Sequence, residues 1–236
     1  MTVHPIETDG SVGPAAATVT HEGSSVHPER QTEPHPHAAV FGPEGSFLYV
    51  PDLGVDRVFA YRVDHEAGML DPLPEAGVTI DPGAGPRHLV FDPSGARAYL
   101  VTELDSTVVT LEQHDDGGLE PLETVSTLPA GFDGESTAAA IAVHPSGDWL
   151  YASNRGHDSI ARFAVEDDRL DPIEHESARG ETPRSIAISP DGEWLYALNR
   201  ESDSIVAASL REDGSIGHVT TVASVAQPTG IQFVTF

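Results

Sequence analysis

The sequence predicts an all-β propeller, built of four-stranded antiparallel blades stacked around one axis. Three observations predict it. Four segments align with one another at a period of about 45–50 residues: Pro36–Leu73, Pro86–Leu122, Ala138–Ile173 and Pro183–Val219. Each carries a Pro-x-Gly turn between two short apolar runs, at Pro43–Gly45, Pro93–Gly95, Pro145–Gly147 and Pro190–Gly192. The 22 glycines and 19 prolines among 236 residues suit many short strands and turns better than long helices.

Within each repeat the order of elements follows from local chemistry. A short apolar strand comes first. Proline then presets the turn and glycine accepts a positive φ, so the chain folds back as a hairpin. The second strand reads FLYV, RAYLV, WLYAS or WLYAL, and a third begins at Val58, Val108, Ile160 or Ile205. An acidic, glycine-rich turn leads to a fourth, outer strand. A single blade cannot bury both faces, so neighbours must stack. The expected blades are 35–82, 83–130, 131–178 and 179–224, within a single domain over 1–236.

Partial blades are expected at both ends. Residues 225–236 match only the first strand of a blade. Ile6–Gly13 matches Leu210–Gly217, which makes 1–18 the end of a partial blade and places Met1 where Ile205 opens a third strand. Residues 19–34 are polar and read as a loop on one face, carrying function or joining blades. Closure can use a composite blade made from both ends, giving five blades. The alternative is an open array with unpaired edges.

The charge balance is extreme: 38 acidic residues against 12 basic ones, a net charge of −26, with every basic residue an arginine. Such a surface repels phosphate backbones and anionic lipids, so no nucleic-acid or membrane partner is expected. Regular apolar strands argue against acidic disorder. They favour a folded protein of a high-salt interior, where salt screens the repulsion between carboxylates. There is no cysteine, hence no disulfide, thiolate zinc site or cysteine nucleophile. No run reaches membrane-spanning length and no basic-then-apolar leader opens the chain, so the cytoplasm is the default compartment.

Equivalent positions of successive blades lie at one height around the axis, so a column of the alignment is a ring in space. One column, at the start of the innermost strand, holds His37, Arg87, Ala139 and Arg184. Another, at the end of the second strand, holds Leu53, Glu103, Arg155 and Arg200. The two columns meet at one end of the axis. Glu or His there can act as general base on a water, and arginine can bind an anion or stabilise an oxyanion. The bland reading is that such arginines pair with acidic neighbours or cap turns. Against it, four of twelve arginines converge in a protein of net −26, which would draw in a small anionic molecule.

Other motifs are weaker. His35-Pro36-His37 near His27 and His21 hints at a metal, but loop histidines without ligand spacing are usually only solvated. Asp52, Asn154 and Asn199 share a column that can hold calcium, but Thr102 interrupts it and Asx residues at strand ends more often make turns. No metal is expected. No nucleophile elbow, P-loop or dinucleotide fingerprint is present.

The strings PHPHAAVFGPEGSFLYVPDLGVDRVFAYRVD, GPRHLVFDPSGARAYLVTELDSTV and HPSGDWLYASNRGHDSIARF resemble successive blades of the seven-bladed propeller lactonase family, which includes propeller-type 6-phosphogluconolactonases and the fungal carboxy-muconate cyclase. The resemblance covers nearly the whole chain. It implies hydrolysis of a sugar lactone, with 6-phosphogluconolactone the usual substrate and no cofactor. The family's catalytic set of His, Arg, Glu and Arg falls at His37 in PHPH, Arg87 in PRH, Glu103 in TEL and Arg155 in NRG. His35, His88, Arg184 and Arg200 are the expected substrate-binding neighbours. Either Glu103 or His37 would activate water, with Arg87 and Arg155 on the oxyanion. A muconate-type intramolecular lyase and a non-catalytic binding propeller are the alternatives. Members of the family have about seven blades, so about two that precede this segment in the family are absent here, by a late start or in a shortened form.

Overall fold

The computed structural model describes residues 1–166 and 169–234, and among these there is no helix. Four antiparallel sheets follow one another along the chain. The first contains β3 (Val40–Phe41), β4 (Phe47–Asp52), β5 (Arg57–Asp64) and β6 (Met69–Pro72), with β7 (Val78–Thr79) also paired to β5. The second is β8 (Pro86–Phe91), β9 (Arg97–Thr102), β10 (Thr107–Gln113) and β11 (Leu119–Ser126). The third is β12 (Thr137–Val143), β13 (Trp149–Arg155), β14 (Ser159–Glu166) and β15 (Arg169–Ser177). The fourth is β16 (Pro183–Ile188), β17 (Trp194–Asn199), β18 (Ser204–Leu210) and β19 (Ile216–Ser224). They are blades I to IV below. The glycines of the four Pro-x-Gly turns all lie at φ between 71° and 85°, as the hairpins require.

Apolar layers between the blades hold the stack. Tyr49, Val58, Leu100 and Leu111 join blade I to II; Tyr99, Val101, Leu150 and Phe163 join II to III; Tyr151, Ile160, Ile186 and Leu195 join III to IV. The tyrosine of the second strand bridges each gap it can be followed across. Tyr49 Oη donates to Gly117 O of blade II at 3.0 Å, and Tyr151 Oη to Gly214 O of blade IV at 2.6 Å. Those glycines sit in outer turns with positive φ, and a Cβ on Gly117 would stand 2.6 Å from the Phe47 ring.

A second device ties blades I, III and IV to the linker that follows each, Ser106 standing at the equivalent position of blade II. In the turn between second and third strands, Asp56, Asp158 and Asp203 all adopt left-handed φ near 50°. Their carboxylates accept backbone N–H groups from the linker into the next blade: Gly83 and Gly85 on Asp56, Thr182 on Asp158 and Gln227 on Asp203, at 2.7–2.8 Å. Short polar side chains tolerate this backbone region best, and here they also satisfy linker donors.

The ends follow the same rules. Ile6 bridges Val12 as Leu210 pairs with Ile216, so the N-terminal turn has the geometry of the last outer turn. β1 (Thr2–Val3) pairs with β2 (Ala17–Thr18), and Met1, Val3 and Val19 pack on Leu48, Val50 and Tyr61 of blade I. The C-terminal expectation needs correction. Residues 225–234 form no strand, and 235–236 lie outside the described residues. Asp203 clasps Gln227 as in other linkers, and among the described residues no strand pairs with 225–234. Instead Ile231–Phe233 lie against the far ends of β8, β12 and β16 around a cavity of about 520 Å³. Phe233 meets the ring of Tyr196, the blade IV counterpart of Tyr151, at 5.5 Å.

Candidate active site

The inner strands meet at their starting ends, and each starts irregularly. In blade II, Pro86 pairs with Thr102 and His88 with Val101, so Arg87 is an extra residue in a β-bulge. In blade IV, Arg184 is the extra residue between Pro183 and Ser185. Blade III carries its bulge between Ala138 and Ile141. In blade I the pairing steps from Pro36–Asp52 to Val40–Tyr49, again with one residue too many. Bulges re-aim side chains. Here they let Arg87 and His88, which are consecutive, serve the same site.

Glu103 sits at its centre and is 2% exposed. Its Oε2 accepts Arg87 Nε at 2.8 Å and forms an ion pair with Arg155 Nη2 at 3.0 Å. Its Oε1 accepts Arg30 Nη2 at 2.5 Å. Burial works to raise the carboxyl pKa, but Arg155, Arg30 and Arg87 together outweigh it and hold the group at about 2. Arg87 Nη1 also donates to Ala139 O, and Arg155 Nη2 to Ala138 O at 3.0 Å. Ala139, the one apolar position in the first column, thus contributes its carbonyl to a neighbour's guanidinium. Ala138 N donates to Glu103 O at 3.2 Å, which locks blades II and III together beneath the cluster.

His37 faces this frame from blade I. Neither of its ring nitrogens has a hydrogen-bond partner among the described residues, and Nδ1 is buried. Burial first, and then the Arg87 charge, lower its pKa to about 4, so the ring is neutral at pH 7. It lies edge-on to His88, ring centres 5.1 Å apart. Arg87 Nη1 stands 3.2 Å from His88 Nε2, and burial with that charge lowers His88 to about 3. Burial also lowers Arg87, to about 10, which leaves it charged at neutral pH. Arg155 keeps its Nε buried and without a partner. Arg184 has no hydrogen-bond or ion-pair partner among the described residues, yet its charge is felt by His37, Arg87 and Arg155. Four guanidiniums thus surround one carboxylate and two neutral imidazoles, a cluster with an excess of positive charge.

Six of the eight positions singled out from the sequence meet here: His37, Arg87, His88, Glu103, Arg155 and Arg184. Two do not join them. His35 is exposed, and its backbone is occupied by Asp52 and Leu53. Arg200 pairs with Glu201 at 3.4 Å. Arg200 lies one residue past β17, as Glu103 lies one residue past β9, and its guanidinium is engaged by Glu201 instead of by Glu103. Arg30 was not singled out at all. It comes from the 19–34 loop, which has no counterpart in the other repeats, so no column contains it.

The metal hints dissolve into structural bonds. His21 Nδ1 lies 2.6 Å from Asp52 Oδ2, and Tyr61 Oη lies 2.8 Å from His21 Nε2. His27 Nδ1 accepts the backbone N–H of Glu29 and Arg30. Asn154 and Asn199 donate to the carbonyls of Thr127 and Ala178. Glu112, His114 and Glu120 group their ligand atoms at the surface of blade II, but Arg97 engages Glu112.

Comparison with known proteins identifies the family and the fold. The family model described as "Lactonase, 7-bladed beta-propeller" matches residues 1–233. A 6-phosphogluconolactonase of Bacillus subtilis is 38% identical over 186 residues, covering 77% of this chain and 52% of that protein. An uncharacterized protein of Lactococcus lactis subsp. cremoris is 40% identical with the same coverage. The chain thus spans about half the length of the curated relatives it matches. Among solved structures, a periplasmic gluconolactonase of Pseudomonas aeruginosa superposes with a TM-score of 0.92 at 36% identity, over 99% of this chain and 66% of that one. A putative 6-phosphogluconolactonase of Bacteroides fragilis gives 0.88 at 29%, over 99% and 67%. No helix among the described residues is long and apolar enough to cross a membrane. With a match that runs from the first residue to within three of the last, on a stack of four-stranded blades, the chain belongs to the lactonase family of seven-bladed β-propellers.

Proposed function

We propose that the protein hydrolyses a sugar lactone carrying an anionic substituent, a phosphorylated lactone being the best fit. The observation that carries this reading is His37: a neutral imidazole with no partner on either nitrogen, set beside a cluster of excess positive charge in a protein of net −26. A water oxygen attacks the lactone carbonyl carbon while His37 takes its proton. The bond from that carbon to the ring oxygen then breaks, and the proton passes to the departing oxygen, which becomes a hydroxyl. The product is the open-chain hydroxy acid.

Burial divides the roles among the charged groups. Arg87 and Glu103 are 1% and 2% exposed and lie behind the open face. They act as a frame that orients Arg155, whose side chain is 14% exposed and faces the developing oxyanion. Glu103, held by three arginines, is a poor base in the free protein and a strong anchor. Binding an anion near Arg184 offsets one of the charges that depress His37, which moves the ring toward a more effective basicity as substrate arrives.

The test is lactone opening at neutral pH, followed by proton release against the spontaneous rate. His37→Asn should lower kcat by about 10²-fold, in line with loss of a general base. Glu103→Gln should lower it too, with a visible loss of stability, because the buried Arg87 and the half-buried Arg155 lose their counter-charge. Wild-type protein that opens no lactone above background, or a His37→Asn variant as fast as wild type, would sink the reading.

A further inference from the structure

The arginines of the cluster are of two kinds. Arg87 and Arg155 stand on strands and are engaged twice over, by Glu103 and by backbone carbonyls of blade III. Arg30, in the 19–34 loop, and Arg184, on β16, are not engaged in this way. Arg184 has no partner among the described residues. Arg30 makes one side-chain bond, to Glu103 Oε1, which leaves most of the five guanidinium donors unengaged. Its side chain is 45% exposed against 3% for its partner, so it covers the carboxylate from the solvent side. Both charges act on Arg155, so both stand in its neighbourhood.

The placement of Arg30 is built into the fold. The neighbouring Gln31 is fully buried. Its side-chain amide donates to Leu53 O at 2.9 Å and to Asp56 Oδ1 at 2.7 Å, while Oε1 accepts His27 N–H at 3.0 Å. Its backbone closes the turn through His27 O and Ser25 N–H. At the other end of the loop, His21 is held by Asp52 and Tyr61. A polar surface loop of this length has no need of such anchoring unless it delivers something, and what it delivers to the site is one guanidinium.

We infer that Arg30, together with Arg184, is the specificity element for the charged substituent of the substrate, and that the 19–34 loop exists to present it. Arg30 and Arg184 take the phosphate through their unengaged donors, Arg30 either keeping or releasing Glu103, while His37 and Arg155 face the reacting carbonyl. This rests on the lactonase reading for the identity of the substrate, but its test does not depend on turnover.

The experiment is calorimetric titration of the full chain with gluconate 6-phosphate and with gluconate, the open-chain acids with and without the phosphate. Wild type should bind the phosphorylated acid at least about 10-fold tighter, as charge-assisted bidentate bonds imply. Arg30→Gln and Arg184→Gln should each weaken the phosphorylated acid about 10-fold and leave gluconate within about twofold, with Arg30→Lys in between. Thermal melts confirm that the variants fold. Equal binding of both acids by wild type, or variants that weaken both acids alike, overturns the inference. A protein that discriminates through Arg30 but opens no lactone keeps this inference and loses the proposed reaction. One that opens phosphorylated and plain lactones equally, unaffected by Arg30→Gln, keeps the reaction and loses the inference.

Discussion

Tyr151 is fully buried in blade III, and burial raises the pKa of its phenol, yet its hydroxyl reaches a carbonyl of blade IV. Tyr151→Phe leaves the ring in place and strands the Gly214 carbonyl, so we expect a loss of about 1–2 kcal/mol in urea unfolding with the slope unchanged. A loss below a few tenths would mean that water replaces the hydroxyl. The site histidines make a second residue-scale prediction. His37 and His88 have folded pKa values of about 4 and about 3, both below 6.5, so the unfolded chain binds their protons first. Their contribution to stability is complete above pH 6.5 and is lost as pH falls through that value toward 4. Glu103, lowered from 4.5 to about 2, adds its own loss only below 4.5. Melting temperature should therefore fall between pH 6.5 and 4, and His88→Gln should flatten that slope. An unchanged slope would show that other groups carry the acid sensitivity.

Between residue and molecule stands the blade, and the linkers that leave blades I, III and IV are each held by one carboxylate. Asp158 lies at φ 52°, and its Oδ1 accepts Thr182 N–H at 2.8 Å and Gly156 N–H at 3.1 Å. Asp158→Ala removes the acceptor of both N–H groups and leaves a Cβ residue in a left-handed conformation, for an expected cost of about 2–3 kcal/mol. Asp158→Asn keeps one acceptor oxygen and should cost less than half as much. If the two variants melt together, the linker is held by packing instead. This joint precedes Arg184 by only a few residues, so the Ala variant should also weaken phosphate recognition. The order of elements here was legible before the structure, because Pro-x-Gly turns and apolar runs recur where strands begin and end. So was the convergence of His37, Arg87, Glu103 and Arg155, because a column of repeats becomes a ring. What a column cannot express was missed. It fixes the position of a backbone and says nothing of a bulge such as that at Arg87, nor of an adjacent acid such as Glu201 that engages Arg200. It contains only residues that have copies, and Arg30 has none. A strand also needs a partner, which residues 225–234 lack despite their strand-like sequence.

At the scale of the whole molecule, charge sets two responses in opposition. The chain carries −26, while four of its twelve arginines are gathered in one cluster, so the remaining surface is more negative still. A folded chain of this length has a radius of gyration of roughly 17 Å. The screening length is about 30 Å at 0.01 M salt, longer than that radius, and about 3 Å at 1 M. At low salt, carboxylates on all faces therefore repel one another across the molecule, and at high salt only near neighbours do. Stability should rise with salt: raising KCl from 0.01 M to 1 M should lift the melting temperature by about 5–10 °C, equivalent to roughly 2–3 kcal/mol at this size. Affinity for a phosphorylated acid should fall over the same range, because the attraction of Arg30 and Arg184 is screened as well. Screening depends on ionic strength alone, whereas surface exclusion depends on the ion. Chloride and sulfate at matched ionic strength separate the two: coincident melting curves place the effect in the protein's charge. A melting temperature that stays flat or falls with KCl would mean that the acidic surface is already neutralised within the fold, leaving no role for salt in holding the blades together.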